Sequence, residues 1–314
     1  MLKNLIQPRA LAAAAVVGLA LLALPLAVPR FYVYMFSLIF VNALLAMSLN
    51  FVVGHGGLYQ FHHGVFYGIG AYTVTLMLTK TALPAWVGFA AAPLAAALAG
   101  LLIGVFCVRL SKLYFGMLQI SLGSLIWAVA FRWYSLTGGD DGIHDIPIPQ
   151  FLSAPRPVYY FILVMLGLSL AVLYLILKSP FGSTLRAIRD NPERCEALGI
   201  HVRRHQLIAI GIATFFAGVA GVMFVVVESS VFPGLLFWVL SLEIFIMCLL
   251  GGWFTFAGPM LGAAIIVSLK TFVGVYTEYW TTIMGIILIL LIFFLPEGVM
   301  GFLLEKFSDR SDRG

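Results

Sequence analysis

The chain alternates long apolar runs with short polar segments, and the apolar runs are almost free of charged residues. Ten such runs cover residues 10–28, 32–53, 58–79, 84–108, 113–131, 157–177, 205–227, 233–250, 256–271 and 279–295. A helix needs about 20 residues to cross a hydrocarbon core of about 30 Å, and the runs have this size. They are too long and too uniformly apolar for barrel strands. The pattern predicts an all-α, polytopic transmembrane helical bundle with about ten spans, in which the third and ninth runs could be broken or re-entrant.

The composition agrees with a membrane protein and gives no room for a soluble domain. Hydrophobic residues make up 62% of the chain and charged residues 10%, whereas soluble domains average about 45 to 50% and about 25%. We therefore expect residues 1–314 to form a single transmembrane domain. The run 10–28 is longer than the apolar core of a signal peptide, which spans about 7 to 15 residues, so it is predicted to be the first span.

The distribution of basic residues predicts the orientation of the spans. Ten spans place both termini on one side of the membrane. If that side is the cytoplasm, 13 of the 18 Lys and Arg residues lie in cytoplasmic positions, as the positive-inside rule requires. The chain is thus predicted to have both its N-terminus and its C-terminus inside. The net charge of +5 gathers at span ends, which fits membrane orientation and gives no indication of nucleic-acid binding.

Two connections between spans are long enough to have a role of their own. The outer loop, residues 137–157, is rich in Gly and Pro and contains three acidic residues. The inner loop, residues 178–206, concentrates six basic and three acidic residues in an otherwise oily chain.

The inner loop contains the signals of a short capped helix. Asn191 followed by Pro192 is typical of a helix start, and Gly199 is typical of a helix end. The predicted helix, from Pro192 to Leu198, is too short to be stable alone in water. It also carries apolar residues among its charges, which favours a docking surface for a cytoplasmic partner. A solvated connector that only fixes topology is the alternative.

Several segments in the same order resemble the permeases of branched-chain amino acid ABC transporters, in particular the longer of their two permease types. These segments are GHGGLYQFHHGVFYGIGAYT, GGDDGIHDIPIP, SPFGSTLRAIRDNPERCEALGI, LEIFIMCLLGGWFTFAGPMLGA and EYWTTIMGIILILLIFFLPEGVMG. The resemblance covers most of the chain beyond the first run. It implies a multi-pass permease subunit in the bacterial inner membrane, without catalytic residues of its own.

The resemblance also implies the partners of this chain and its coupling site. Two ABC ATPase subunits, which use ATP and Mg²⁺, would dock on the inner loop, a second permease subunit would complete the path, and an extracytoplasmic binding protein would deliver the substrate. The second subunit is expected to be a paralogue, and this chain is expected to bind no cofactor. None of the six lysines stands in a GxxxxGK[ST] motif, so an ATPase must be a separate chain. The implied coupling residues are Arg189, Asp190, Pro192, Arg194, Glu196, Ala197, Leu198 and Gly199.

Polar residues inside the apolar runs are the candidates for the substrate path. These are Asn50, Gln60, His62, His63, Tyr67, Gln119 and Glu243. Each is more often a partner in a hydrogen bond between helices, and the histidines lack the acid or cysteine of a metal site. Glu243 must face protein or water, because a carboxylate costs about 2.5 to 3.5 kcal/mol in the membrane centre. Trp253 and Phe254 replace smaller residues of the family pattern and are candidates for packing or for a gate.

The sequence leaves the substrate open. Branched-chain or other hydrophobic amino acids are the first expectation, and urea, short amides or small carboxylates are the alternatives within the same class. A different class, an ion-coupled secondary carrier, would need carboxylates or histidines paired at mid-membrane, and only Glu243 with the region of His62 offers them.

Overall fold

The computed structural model describes residues 8–110, 112–274, 279, 282–283, 285–287, 289–290 and 298–301. Within these residues the chain is predominantly helical, and extended pairing is limited to one isolated bridge between Ile143 and Val231. The tenth predicted span, residues 279–295, lies mostly outside the described residues.

Twelve helices occur in the described residues. In chain order they are α1 (Pro8–Ala27), α2 (Arg30–Val53), α3 (Gly64–Lys80), α4 (Ala85–Cys107), α5 (Lys112–Arg132), α6 (Tyr134–Thr137), α7 (Pro155–Lys178), α8 (Pro180–Asp190), α9 (Pro192–Ala197), α10 (Val202–Glu228), α11 (Trp238–Gly251) and α12 (Gly258–Val273). Two 3-10 turns, Gln150–Leu152 and Pro233–Leu236, precede α7 and α11.

Five helices in the described residues are long and apolar enough to cross a membrane: α2, α4, α5, α7 and α10. The predicted third, eighth and ninth spans correspond to the shorter helices α3, α11 and α12, and each of these helices begins later than the predicted run. The third run was expected to be helical from residue 58, but α3 begins only at Gly64. The residues before it form turns, in which Gly57 has a φ of +66°, a conformation that favours glycine.

The helix α2 lies at the centre of the bundle. Seventeen of its 24 residues are buried, and it packs against α7, α10, α11 and α12. Glycines allow the closest helix contacts, for example where Gly70 of α3 meets Gly218 of α10. A Cβ atom at Gly70 would lie 2.6 Å from the Gly218 Cα atom. Small residues at such crossings let apolar helices approach closely.

The bundle has two distinct ends. At one end, which we call the α8–α9 end, the short helices α8 and α9 lie beside the C-terminus of α2. At the opposite end, the loop end, the residues between α6 and α7 pack on the turn that follows α10. Ile143 and Val231 exchange two backbone hydrogen bonds of 2.8 and 2.9 Å, and the Ile146 amide donates to the Ser229 carbonyl at 3.1 Å. The predicted loop 137–157 is thus held against the bundle.

Candidate functional site

The inner loop contains two helices, α8 and α9, where the sequence predicted one. Ser179 caps the start of α8, since its side chain accepts a hydrogen bond from the Gly182 amide, and Pro180 occupies the first helical position. Leu185 and Ile188 form the buried face of α8. The sequence signal for α8 is therefore the same cap and proline pair that indicated α9.

The helix α9 has the predicted start and end signals. The Asn191 Oδ1 atom accepts a hydrogen bond of 2.9 Å from the Arg194 amide. At the other end Gly199 has a φ of +84°, its amide donates to the Glu196 carbonyl at 2.9 Å, and the Ile200 amide donates to the Cys195 carbonyl at 3.0 Å. These two bonds form the Schellman motif, so the prediction of a glycine-terminated helix is confirmed.

The helix α9 has one side buried against the protein and one side exposed. Cys195 is buried with Ile188 and Val202, and Ile200 packs on this small cluster. The side chain of Leu198 points away from it and is 75% exposed. The charged residues Arg194 and Glu196 are also exposed. The surface of α9 thus presents one large apolar side chain with charges beside it.

Arg189, at the end of α8, joins this surface to the bundle. Its Nη1 atom donates a 2.8 Å hydrogen bond to the carbonyl of Gly54, just after α2. Its guanidinium lies 5.4 Å from the ring centroid of Phe254, in the turn between α11 and α12. It also forms a 2.9 Å ion pair with Asp190. The candidate gate residues Trp253 and Phe254 therefore lie beside the candidate coupling residues, around a cavity of about 410 Å³.

His55 lies in the same region and is 8% exposed. Burial, together with the positive charges of Arg186 and Arg189, lowers the pKa of His55 to about 4. The imidazole is therefore neutral near pH 7, because desolvation and neighbouring cations both disfavour its charged form.

Five of the predicted path residues lie in the interior of the protein. Asn50, Gln60, His62, His63 and Gln119 are each at most 2% exposed. The Nε2 atom of His63 forms a 2.8 Å hydrogen bond with the Ser48 Oγ atom of α2. The side chain of His62 packs on Gly123 of α5, and a Cβ atom added at Gly123 would lie 2.5 Å from the His62 Nδ1 atom.

Several of these buried side chains lack a hydrogen-bond partner among the described residues. This holds for both polar atoms of Gln60, His62 and Gln119 and for the Oδ1 atom of Asn50. A buried polar group without a partner costs about 1 to 3 kcal/mol. These residues therefore remain candidates for contact with a polar molecule.

A second group of polar residues lines a cavity of about 610 Å³ between α2, α10, α11 and α12. Tyr67 and Glu243 are the two predicted path residues that line it. The Glu243 carboxylate forms an ion pair of 3.0 Å with Lys270 of α12, so its partner is a lysine and not the region of His62. The Tyr34 hydroxyl of α2 donates a hydrogen bond to Glu228, the last residue of α10.

Sequence reasoning missed Tyr34, Glu228 and Lys270 as cavity residues. Lys270 entered the sequence interpretation only as one of the five basic residues on the predicted outer side, and no role was predicted for Tyr34 or Glu228. One signal was available, because Lys270 and Glu243 are opposite charges that lie inside two consecutive apolar runs. Charges inside a membrane protein usually pair with each other and face protein or a water-filled space.

Among the described residues, no three His, Cys, Asp or Glu side chains lie close enough together to hold a metal ion.

Comparison with known proteins gives one consistent result. The family described as the branched-chain amino acid transport system / permease component matches residues 31–292. The high-affinity branched-chain amino acid transport system permease protein LivM of Escherichia coli (strain K12) is 29% identical over 303 residues, covering 88% of this chain and 71% of the relative.

A second type of permease is also similar to this chain, though less so. The high-affinity branched-chain amino acid transport system permease protein LivH of Salmonella typhimurium is 25% identical over 290 residues, covering 82% of this chain and 91% of the relative. A shorter match joins residues of this chain to the guanosine ABC transporter permease protein NupQ of Bacillus subtilis, which is 29% identical over 82 residues, covering 26% of this chain and 25% of the relative. No solved structure gives a significant match.

Proposed function

Because the chain belongs to the family of branched-chain amino acid transport permease components, we propose that it forms half of the translocation path of a binding-protein-dependent ABC importer. Its relatives are membrane permeases and not enzymes. The proposed substrates are branched-chain or other hydrophobic amino acids. Urea, short amides and small carboxylates are the alternative substrates.

The proposed topology is a single membrane domain, residues 1–314, with about ten spans and both termini in the cytoplasm. The α8–α9 end is then cytoplasmic and the loop end is external. The excess of Lys and Arg on the α8–α9 side of the chain supports this orientation.

Cysteine labelling tests the orientation, because Cys107, Cys195 and Cys248 are all buried and give little background. A membrane-impermeant maleimide should label Asp141→Cys in intact cells and Leu198→Cys only in inside-out vesicles. The reverse pattern would refute the proposed orientation.

The exposed surface of α9 is the proposed docking site of the ATPase subunits. The observation that carries this proposal is the 75% exposure of Leu198 on a helix held by a cap at both ends. A large apolar side chain surrounded by charges is typical of an interface, where an apolar centre has a polar rim. ATP and Mg²⁺ belong to the ATPase subunits in this proposal, and this chain binds no cofactor.

The second permease subunit is proposed to be a paralogue, and an extracytoplasmic binding protein is proposed to deliver the substrate. The similarity of this chain to both LivM and LivH, which carry separate names in the same organism, supports a pair of related but different permeases.

In the proposed mechanism, the short helices α8 and α9 transmit movement of the ATPase subunits to the bundle. Closure of the ATPases on ATP would displace α8 and α9 together, because Ile188 of α8 and Cys195 of α9 share one buried cluster. Arg189 would carry this displacement to Gly54 and to Phe254. The packed spans would then move as rigid bodies and alternate access to the path.

Co-purification of this chain with ATPase subunits from its native membranes tests the proposal. The double variant Glu196→Lys plus Ala197→Arg puts like charge and bulk on the α9 surface and should lose the ATPases. The matched control is Asp141→Lys, a charge reversal at the loop end, which should keep them. If ATPases never co-purify, or if the double variant keeps them while it remains folded, the proposal fails and an ion-coupled carrier becomes the leading function.

A further inference from the structure

We propose that the cavity between α2, α10, α11 and α12 binds the transported amino acid as its zwitterion, with Glu228 as the partner of the ammonium group and Lys270 as the partner of the carboxylate. This inference rests on the proposed function, since it concerns the substrate of the same importer. It adds a specific site and two specific partners.

The charges of the cavity have a pattern suited to a zwitterion. Glu228 accepts a hydrogen bond from the Tyr34 hydroxyl, but no Lys, Arg or His among the described residues lies within ion-pair distance of it. Lys270 is paired with Glu243 at 3.0 Å, and its side chain is 51% exposed, so it keeps room for a second acceptor. A carboxylate that has no cationic partner among the described residues and an accessible ammonium group thus line one cavity.

The balance of charge discriminates between the candidate substrates. Two carboxylates and one ammonium group give the cavity one excess negative charge. A small carboxylate would bring a further negative charge to this site, so it should bind poorly. A zwitterion brings a cation to Glu228 and an anion to Lys270, and both become charge-assisted hydrogen bonds, which are the stronger kind.

The remaining walls of the cavity suit an aliphatic side chain. They include Leu240, Met247, Ile266, Val267, Phe224 and Phe237. Burial of apolar surface is favourable in proportion to its area, so a branched aliphatic side chain gains more here than a short polar one. Urea and short amides, which have no such side chain, would leave these walls without a partner. The volume of about 610 Å³ lies within the usual range for small-molecule sites, about 300 to 1,000 Å³.

The position of the cavity fits delivery of the substrate at the loop end. Tyr34 lies in the second turn of α2 and Lys270 in the last turn of α12, and both of these helix ends are at the loop end. The backbone bonds between residues 143–146 and 229–231 hold the turn that directly follows Glu228. The loop 137–157 therefore lies against the side of the cavity that carries Glu228.

Uptake of radiolabelled L-leucine by the complete transporter in proteoliposomes tests the inference. We compare wild type with Glu228→Gln, Glu228→Asp and Lys270→Gln, and use Asp141→Asn as the matched control for loss of one carboxylate outside the cavity. The binding protein is the same in every sample, so differences between variants report on the permease.

Glu228→Gln and Lys270→Gln should each reduce leucine uptake about 10- to 100-fold, since each removes one charged partner of the substrate. Glu228→Asp keeps the charge and should retain more uptake than Glu228→Gln. Asp141→Asn should transport at the wild-type rate. If both Gln variants assemble with the ATPases and transport at close to the wild-type rate, the inference is refuted while the proposed function stands.

A second variant covers the case in which a Gln variant does not assemble. Leu240→Trp fills the apolar wall without changing a charge and should slow the uptake of leucine more than that of the smaller valine. Equal slowing of both substrates contradicts the assigned site. If the wild-type transporter takes up no branched-chain amino acid and binds no ATPase, the proposed function itself has failed.

Discussion

Replacement of Arg189 by lysine should uncouple ATP hydrolysis from transport. Arg189 makes the contacts that join α8 to the end of α2 and to the turn between α11 and α12. Lysine keeps the positive charge, but it lacks the planar guanidinium that can donate sideways to the Gly54 carbonyl while it stacks on Phe254. The change therefore alters the link and leaves the charge of the inner loop unaltered.

The strength of this link follows from its individual contacts. A hydrogen bond from a charged donor is worth about 1.5 to 3 kcal/mol. The contact with Phe254, whose side chain is exposed, adds about 0.5 to 1 kcal/mol. The ion pair with Asp190 stays within the inner loop and does not contribute to the link. Arg189→Ala should thus lose about 2 to 4 kcal/mol, and Arg189→Lys roughly half of that, equivalent to about a 10-fold weaker link.

The assay measures ATP hydrolysis and leucine uptake in the same proteoliposomes. Arg189→Lys should hydrolyse ATP at close to the wild-type rate, because the α9 surface is unchanged, while uptake per ATP falls by about 10-fold. Arg203→Lys is the matched control, since Arg203 is exposed at the start of α10 and its side chain has no hydrogen bond or ion pair to any described residue. Arg203→Lys should leave the ratio of leucine uptake to ATP hydrolysis unchanged.

A double-mutant cycle with Phe254→Ala identifies the cation–π part of the link. If Arg189 acts through Phe254, the effects of the two substitutions should be less than additive by about 0.5 to 1 kcal/mol. Fully additive effects, or an unchanged ratio of uptake to hydrolysis in Arg189→Lys, would refute the reasoning that Arg189 transmits the movement.

Three further predictions concern the stability of the bundle and the binding of ATPase subunits to α9. Gly221→Ala should destabilise the bundle by about 1 to 3 kcal/mol, since the added Cβ atom would lie 2.4 Å from the Tyr67 carbonyl oxygen. The thermal unfolding temperature in detergent should therefore fall. Gly167→Ala is the control and should leave this temperature unchanged, because a Cβ atom at Gly167 meets open space. Gly199→Val should weaken ATPase co-purification, because its φ of +84° costs a side chain about 1 to 2 kcal/mol. The pKa of His55 in the folded protein, about 4, lies below its unfolded value of about 6.5, so the unfolded chain binds more protons between these values. Stability should therefore fall by up to about 3 kcal/mol as the pH drops from about 6.5 to about 4, and His55→Gln should remove this dependence.

Much of the fold could be predicted from hydrophobic pattern alone, and the reason is physical. Lipid requires uninterrupted helices, so α2, α4, α5, α7 and α10 appear where the apolar runs are. The start of α3 could not be predicted from hydropathy, because residues 58–63 carry no charge and continue the apolar run and yet lie outside the helix. The glycines before them, in particular Gly57, set this conformation, and the close approach of Arg189 to Gly57 depends on tertiary packing.

The candidate site also has parts that local sequence predicts and parts that only the tertiary structure reveals. The ends of α9 could be predicted because caps are local signals that involve Asn191 and Gly199. The pairing of Glu243 with Lys270 and of Tyr34 with Glu228 joins residues that are 27 and 194 positions apart. Periodicity along one helix carries no information about such a partner, so the pairing of Tyr34 with Glu228 could be found only from the packed bundle. Glu243 and Lys270 left one signal in the sequence, as opposite charges inside consecutive apolar runs.

The two ends of the protein are connected by the helices that carry the cavity. The helix α2 holds Tyr34 near the loop end and reaches Gly54 at the α8–α9 end, a distance of about 30 Å at about 1.5 Å per residue. The helix α12 begins beside the turn of Phe254 and ends with Lys270 in its last turn. Arg189 contacts the α8–α9 end of both routes. A displacement of α8 that shifts α2 relative to α12 should therefore change the separation between Tyr34 and Lys270. Because the Tyr34 hydroxyl donates a hydrogen bond to Glu228 of α10, we expect the separation between Glu228 and Lys270 to change as well. A zwitterion bound between these two residues would lose one of its partners, so we expect movement of α8 and α9 to release the substrate from the cavity.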